Sequence, residues 1–258
     1  MLPEHVEAFA LNLQDHRHLW VATPTTVQRS TDGGANWEER NEGLPADAFV
    51  MILAVSPFDP DTILCCLWGY QPGLGYRGTD GGDTWAPIAA DMGHVPVSSI
   101  AVHPDDPHIV YAGLPRRSDG RATVFKSLDG GDSWIATTLL LAWGWVDRLV
   151  IDPLAPDTVY AGSEEGLFRS TDGGATWSRA AGGLGSLSIH GLAAASADER
   201  TVIYVGTTGG LPAGVARASL DITSPASQGF VQGGIYQQTI LHRAPDHRIY
   251  LPMILRDS

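Results

Sequence analysis

One octapeptide recurs four times and sets the spacing of the whole chain. It reads STDGGANW from Ser30, GTDGGDTW from Gly78, SLDGGDSW from Ser127 and STDGGATW from Ser170. The aspartates of consecutive copies lie 80 − 32 = 48, 129 − 80 = 49 and 172 − 129 = 43 residues apart. A period of this length corresponds to one supersecondary unit per repeat. The sequence therefore predicts a protein built from repeated units.

Each period also contains short apolar segments separated by turns rich in proline, aspartate and glycine. In the third period they are Val97–Pro104, His108–Gly113, Thr123–Ser127 and Ser133–Thr137. Short runs of this composition favour strands, and no long helical periodicity is present. Four antiparallel strands per repeat form a propeller blade. The predicted fold is an all-β propeller of about five four-stranded antiparallel blades, four of which carry the octapeptide turn.

The pattern predicts a single propeller domain over residues 1–258. Its blades span approximately residues 4–41, 47–90, 96–139, 145–181 and 188–258. The fifth blade departs from the others, because Leu211–Gly229 reads as a loop or insertion. We expect its third strand at Gly233–Ile240 and a last strand, or a terminal anchor, within Arg248–Arg256.

The residues of the octapeptide suit a turn between the third and fourth strands. Asp-Gly is a strong hairpin signal, since glycine adopts positive φ without a Cβ penalty. The aspartate can accept hydrogen bonds from the amides that follow it, and the tryptophan can cover the turn with its ring. All of these groups are used in making the turn.

This pattern resembles the Asp-box, or bacterial neuraminidase repeat, of β-propellers, Ser-x-Asp-x-Gly-x-Thr-Trp. Gly78 replaces the first serine in the second copy, and Asn36 replaces threonine in the first. The resemblance implies that the box residues are structural and not catalytic. They are Ser30, Asp32, Gly34, Trp37, Asp80, Gly82, Trp85, Ser127, Asp129, Gly131, Trp134, Ser170, Asp172, Gly174 and Trp177.

Asp-box propellers include sialidases, xyloglucan-cleaving glycosidases, sortilin-type receptors and photosystem II assembly factors, so the fold does not choose the function. The arginine triad and Arg-Ile-Pro element of sialidases are not evident. The leading hypothesis is a non-catalytic module that binds a protein or a glycan through the loops opposite the boxes. The alternative is an extracellular glycoside hydrolase. The resemblance implies an extracellular or cell-surface location. No cofactor is predicted.

Carboxylates on the loop face are the candidates for catalysis. Glu7 and Asp147 each stand at the start of a first strand, and hydrolysis of a glycoside needs two carboxylates about 5 to 9.5 Å apart. Strand-start acids can equally be solvated or bonded to loop amides. Other acidic residues predicted on this face are Asp47, Asp91, Glu164 and Glu165.

Aromatic and basic side chains on the same face are the candidates for ligand binding. Aromatic rings there can stack on sugars or anchor a protein, and Trp143 and Trp145 can instead pack between blades. The basic loop can contact an anion or lie in solvent. The candidates are Trp143, Trp145, Tyr70, Tyr76, Arg116 and Arg117.

Composition excludes several other classes of function. The formal charge of −13 argues against nucleic acid and anionic membranes as main partners. No apolar run is long enough to span a membrane, and no signal peptide is visible. Cys65 and Cys66 are adjacent in a strand, which argues against a mutual disulfide. The histidines lack metal-ligand spacing, so no metal is predicted.

Overall fold

The computed structural model describes residues 6–12, 14–47, 49–57, 59–68, 75–88, 97–115, 123–180, 188–197, 200–208, 214–219 and 249–250. These residues contain twenty β-strands in five four-stranded antiparallel sheets and no helix. The predicted fold class is confirmed.

The strands follow one another in chain order within the first four sheets. The first sheet comprises β1 (Ala8–Leu11), β2 (Leu19–Ala22), β3 (Val27–Ser30) and β4 (Glu38–Glu39). The second comprises β5 (Phe49–Val55), β6 (Ile63–Trp68), β7 (Gly75–Gly78) and β8 (Ala86–Ile88). The third comprises β9 (Ser99–Val102), β10 (Val110–Gly113), β11 (Val124–Ser127) and β12 (Ile135–Ala136). The fourth comprises β13 (Val146–Ile151), β14 (Val159–Ser163), β15 (Gly166–Ser170) and β16 (Ser178–Arg179).

The fifth sheet has a different strand order. It contains β17 (Ser188–Ala197), β18 (Arg200–Thr208), β19 (Gly214–Ser219) and β20 (Ile249–Tyr250), in the order β19-β18-β17-β20. The final strand predicted within Arg248–Arg256 is present as β20, and it pairs with the free edge of β17.

The segment predicted as a loop or insertion in this sheet contains a strand. β19 lies within Leu211–Gly229 and pairs with β18 over its whole length, because its Val-Ala-Arg-Ala run continues the β-hairpin. It is therefore the third strand of the sheet. Gly233–Ile240, where that strand was expected, lies outside the described residues.

The chain divides into two compact units. One holds the described residues of Met1–Leu114 and Phe125–Ile135, and the other those of Pro115–Val124 and Ala136–Leu251. The organisation as one domain over residues 1–258 stays a prediction.

Each unit has an apolar core made by the buried faces of its strands. In the first unit the core includes Trp20, Ile63 and Trp85. In the second it includes Tyr160, Leu167, Ile189 and Ile203. The alternation of buried and less buried positions, as in β1, is what places one face of a strand against the neighbouring sheet.

The fourth octapeptide shows how the box closes its turn. The buried Ser170 hydroxyl donates to Asp172 Oδ1 at 2.7 Å and accepts from the amide of Gly174 at 2.8 Å. Asp172 accepts from the Thr176 amide at 2.8 Å and from its hydroxyl at 2.5 Å. Trp177 Nε1 donates to the Gly174 carbonyl at 3.1 Å. The turn uses both aspartate oxygens, as the structural interpretation predicts.

The second octapeptide, which lacks the serine, connects instead to the first sheet. Trp85 Nε1 donates to the carbonyl of Arg40 at 2.9 Å rather than to its own turn. In return, Trp20 Nε1 donates to the carbonyl of Gly81 at 2.9 Å. The box tryptophan can therefore hold two sheets together as well as cap a turn.

Third-strand arginines in the first unit contact the next box along the chain. Arg29 Nη1 lies 3.6 Å from Asp83 Oδ1. Arg77 Nη2 lies 2.8 Å from Asp132 Oδ1, and its Nη1 donates to the carbonyl of Gly130 at 3.0 Å. Both arginines therefore pair with the box of the repeat that follows.

Candidate ligand-binding site at the loop end of the fourth sheet

The fourth sheet has a box end and a loop end. The loop before β13, residues 139–145, meets the two-residue hairpin of Glu164 and Glu165 between β14 and β15. The amide of Trp143 donates to Glu165 Oε1 at 2.8 Å. Gly144 has φ of +79°, and a Cβ there would lie 2.9 Å from Glu164 Cβ. The loop backbone is therefore packed directly on the hairpin.

Glu165 links the loop before β13 to β16. Its side chain is only 8% exposed, and its Oε2 lies 3.0 Å from Arg179 Nη2. Arg179 Nη1 also donates to the Glu165 carbonyl at 2.7 Å. With one oxygen on Trp143 and the other on Arg179, the Glu165 carboxylate is occupied in holding the loop.

Trp143 is exposed although its backbone is fixed. Its side chain is 54% exposed, and Leu140 in the same loop is 58% exposed. Trp145, two residues further on, is partly buried and forms an isolated backbone bridge with Pro115. Of the two tryptophans, Trp143 is the one that presents a large apolar surface to solvent.

Asp147 and His190 stand at matching irregularities of neighbouring strands. The pairing of β13 with β14 shifts register between Val146 and Arg148, which leaves Asp147 at the bulge. The pairing of β17 with β18 shifts between Ile189 and Gly191, which leaves His190 at the equivalent place. Bulges redirect side chains and are frequent next to functional sites.

These two side chains meet. His190 Nδ1 lies 2.8 Å from Asp147 Oδ2. Oδ2 is buried and has no other partner, whereas the half-buried residue keeps part of its surface in solvent. The imidazole of His190 is exposed. The bulges thus present a carboxylate and an imidazole side by side.

Burial raises the pKa of Asp147 above its ordinary value. The neighbouring His190 and Arg148 oppose that rise, and the negative charge of Glu164 adds to it. Arg148 directs its guanidinium at the Asp147 carbonyl, where Nη1 donates at 2.5 Å. A carboxylate whose pKa is raised by burial beside specific charged partners is a candidate for a functional site.

Glu7 and Tyr76 lie in the first unit, whereas this cluster lies in the second. Glu7 is half-buried directly before β1 in the first unit, so the pairing of Glu7 with Asp147 stays a prediction. Tyr76, expected to bind ligand, is 9% exposed in the first-unit core, because it lies within β7 rather than in the loop before it. Tyr70, Arg116 and Arg117 lie outside the described residues, as does Asp91.

Sequence reasoning missed His190. The apolar run of the fifth repeat predicts a first strand over Gly191–Ala197, whereas β17 begins at Ser188 and so includes His190. A signal was available, since buried Val146 precedes Asp147 just as buried Ile189 precedes His190. When the repeats are aligned on these apolar residues, His190 falls at the position that Asp147 has in the fourth repeat.

The first unit has a cavity at the corresponding end of its sheets, with a volume of about 280 Å³. Its lining is uncharged and includes Thr25, Thr26, Asn41 and Leu44. Among the described residues, no three His, Cys, Asp or Glu side chains are grouped as metal ligands. The described part of the chain also contains no helix able to cross a membrane.

Comparison with known proteins identifies the repeat. The model of the BNR/Asp-box repeat matches residues 168–179, the last strand-turn-strand of the fourth sheet. The fold is that of an Asp-box β-propeller. No curated protein matches the sequence.

Solved structures with this fold serve different functions. An ancestral GH74 enzyme superimposes with a TM-score of 0.68 at 22% identity, over 86% of this chain and 30% of that one. YCF48 bound to a D1 peptide gives 0.56 at 19%, over 83% and 65%. The extracellular domain of a putative one-component system from B. thetaiotaomicron gives 0.56 at 16%, over 80% and 27%. The chain thus spans less than a third of the enzyme and of the sensor domain.

Proposed function

We propose that this Asp-box propeller is a binding module that takes a glycan at the loop end of its fourth sheet. The observation that carries the proposal is the exposure of Trp143 on a backbone tied to the hairpin by Glu165. An aromatic residue whose backbone is already held in place loses less conformational freedom when its ring stacks on a ligand, so more of the contact energy remains for affinity.

The surroundings of Trp143 suit a polar ligand. Asp147 and His190 offer hydrogen-bonding groups on the next strands, and Glu164 supports the loop from the hairpin. Ligand sites commonly combine apolar or aromatic surface with a few placed polar groups. An apolar protein surface would be expected to need a wider apolar patch than Trp143 and Leu140 supply.

The test is a glycan-array screen followed by calorimetric titration of the best oligosaccharide. We expect Trp143→Ala to weaken binding about tenfold or more, since stacking contacts of an anchoring ring are lost. Leu154→Ala is the matched control, because Leu154 is also exposed but lies in the turn after β13, at the box end. Equal affinity of wild type and Trp143→Ala would refute the assignment.

Glycoside hydrolysis is the second candidate, and the raised pKa of Asp147 favours it. A raised pKa favours the protonated form that a general acid needs, and Glu164 is the nearby second carboxylate. The candidate predicts release of reducing ends from the bound glycan, abolished by Asp147→Asn. Binding without any release would leave the module non-catalytic.

An extracellular location belongs to the same proposal. One solved structure of the same fold is an extracellular domain, which supports this location. A glycan receptor would also need to be accessible to glycans outside the cell. Fractionation of the producing cells, with detection of the protein outside or at the surface, tests it.

A further inference from the structure

We infer that Asp147 and His190 together form the polar centre of the proposed glycan site, and that at neutral pH they accept hydrogen bonds from ligand hydroxyls and exclude anionic sugars. This inference rests on the proposed function. It adds the chemical class of the ligand and a dependence on pH.

One oxygen of the Asp147 carboxylate contacts His190, and the other is available to a ligand. Oδ2 is buried against His190 Nδ1, at 2.8 Å. None of the described residues donates a hydrogen bond to Oδ1, and the Asp147 side chain keeps 23% of its surface exposed. An ionised carboxylate has several acceptor positions, so Oδ1 is ready to receive a donor.

The imidazole of His190 presents the second acceptor. With Nδ1 against a carboxylate, the proton of the neutral ring belongs on Nδ1, and Nε2 carries a lone pair. The ring is exposed, so a ligand can approach it. At neutral pH the pair therefore offers two acceptors side by side, which fits two hydroxyl groups of a sugar.

The charges that face the pair disfavour an anion. Asp147 and Glu164 are close enough for the negative charge of one to raise the pKa of the other. The cation on the same strand, Arg148, donates one of its Nη atoms to the Asp147 carbonyl. Arg179, the other nearby guanidinium, is paired with Glu165. A carboxylate or sulfate on the ligand would thus meet two acceptors and two carboxylates, whose charges outnumber that of the Arg148 cation.

Low pH changes this selectivity in a defined direction. Protonated His190 carries a donor on both ring nitrogens, so Nε2 turns from an acceptor into a donor. A proton on Asp147 removes one of the repelling charges, and its raised pKa brings that step closer to neutral pH. The preference for neutral over anionic sugars should therefore shrink as the pH falls.

The experiment titrates two oligosaccharides of equal length into the full chain at pH 8 and at pH 5. One is the best neutral oligosaccharide from the array, and the other carries a uronic acid in place of one of its sugars. For the wild type we expect the neutral ligand to bind about tenfold or more tightly at pH 8, and the ratio to fall several-fold at pH 5.

Two variants separate the roles of the pair. Asp147→Asn should weaken the neutral ligand about tenfold at pH 8, because hydrogen bonds to charged groups are the stronger ones. His190→Gln keeps an amide donor and an acceptor but cannot gain a proton, so its selectivity should change less between the two pH values than that of the wild type, with the remaining change due to Asp147. Asp157→Asn, which changes an exposed carboxylate at the box end of the same sheet, is the control.

Each outcome is decisive. Binding that needs Trp143 but has the same affinity in Asp147→Asn and the same selectivity at both pH values overturns this inference and leaves the proposed function standing. Tighter binding of the uronic acid ligand at pH 8 overturns it as well. If no glycan binds at all, the proposed function fails and this inference with it. Circular dichroism of each variant confirms that a loss of binding is not a loss of fold.

Discussion

Two aspartates at opposite ends of the fourth sheet have pKa values that are shifted in opposite directions. Asp172, in the box, receives hydrogen bonds from the Thr176 hydroxyl and amide and from Ser170, which lower its pKa to about 2. Asp147, at the loop end, has its pKa raised by burial. The box end uses every oxygen of its carboxylate, and the loop end leaves one available.

This contrast separates a structural residue from a candidate functional one without reference to any relative. A carboxylate whose hydrogen bonds all serve its own turn stabilises the fold and has nothing left to offer a ligand. A carboxylate that is partly desolvated, with one free oxygen, carries an energetic cost that a ligand can relieve. Four experiments test whether the box-end aspartates stabilise the fold and the loop end binds ligand. The experiment with the largest expected effect comes first.

Acid should unfold the protein through its box end. Asp32, Asp129 and Asp172 all have their pKa lowered to about 2, because hydrogen bonds favour the ionised form. The stability they contribute is present above their unfolded-state pKa near 4 and is lost as the pH falls toward 2. Circular dichroism across this range should show a cooperative loss of β-structure. Unfolding already complete at pH 5 would contradict the assignment.

Ser170→Ala should destabilise the box end next most strongly. The serine side chain is 1% exposed and accepts from the amides of Asp172 and Gly174. Leaving these buried donors without a partner costs about 2 kcal/mol of unfolding free energy. Urea denaturation measures the change, with the exposed neighbour Thr171→Ala as control. Affinity for ligand at the loop end should not change while the variant is folded.

Gly144→Ala should affect the loop end instead. The positive φ of this residue and the approach to Glu164 together strain any side chain, at a cost of about 1 to 2 kcal/mol. Because Trp143 precedes it, glycan affinity should fall as well. Gly33→Ala in the first box has positive φ but open space around it, so it isolates the conformational part of the cost.

Asp147→Asn should slightly stabilise the protein at neutral pH. A carboxyl whose folded pKa lies above its unfolded value lowers stability as the pH rises beyond the ordinary aspartate range, and asparagine removes that effect. We expect the unfolding midpoint to rise by about 1 °C at pH 7 and to match wild type near pH 3. A lower midpoint at pH 7 would mean that the His190 contact outweighs burial.

Much of the fold was predictable because a few adjacent residues of the box are enough to determine the turn. Asp-Gly-Gly and the following tryptophan fix the turn by themselves, so one copy predicts the next wherever these residues persist. The fifth repeat was assigned incorrectly because it keeps only the beginning of the motif. β19 ends at Ser219, as β15 ends at Ser170, and Ser219-Leu220-Asp221 repeats Ser127-Leu128-Asp129. The interval from Asp172 to Asp221 is 221 − 172 = 49 residues, within the period.

The candidate site was less predictable because it depends on register. Asp147 and Trp143 were visible as residue types at loop positions, but a bulge shifts pairing by one residue without a fixed sequence signature. His190 became visible only through that shift. Tyr76 was misassigned for a related reason, since neither composition nor spacing shows where a loop ends and the buried strand begins.

The contacts from third-strand arginines to the next box give the repeats of the first unit a direction. The first repeat has the forward half, Arg29, but alanine at position 35 of its own box. The second repeat has both halves, Asp83 toward the first and Arg77 toward the third. Through these ion pairs the first repeat joins the repeat that follows it, and the second joins both of its neighbours, so the edges of a repeat have a polarity. Single charged residues thus distinguish the edge of a repeat that faces the preceding repeat from the edge that faces the following one.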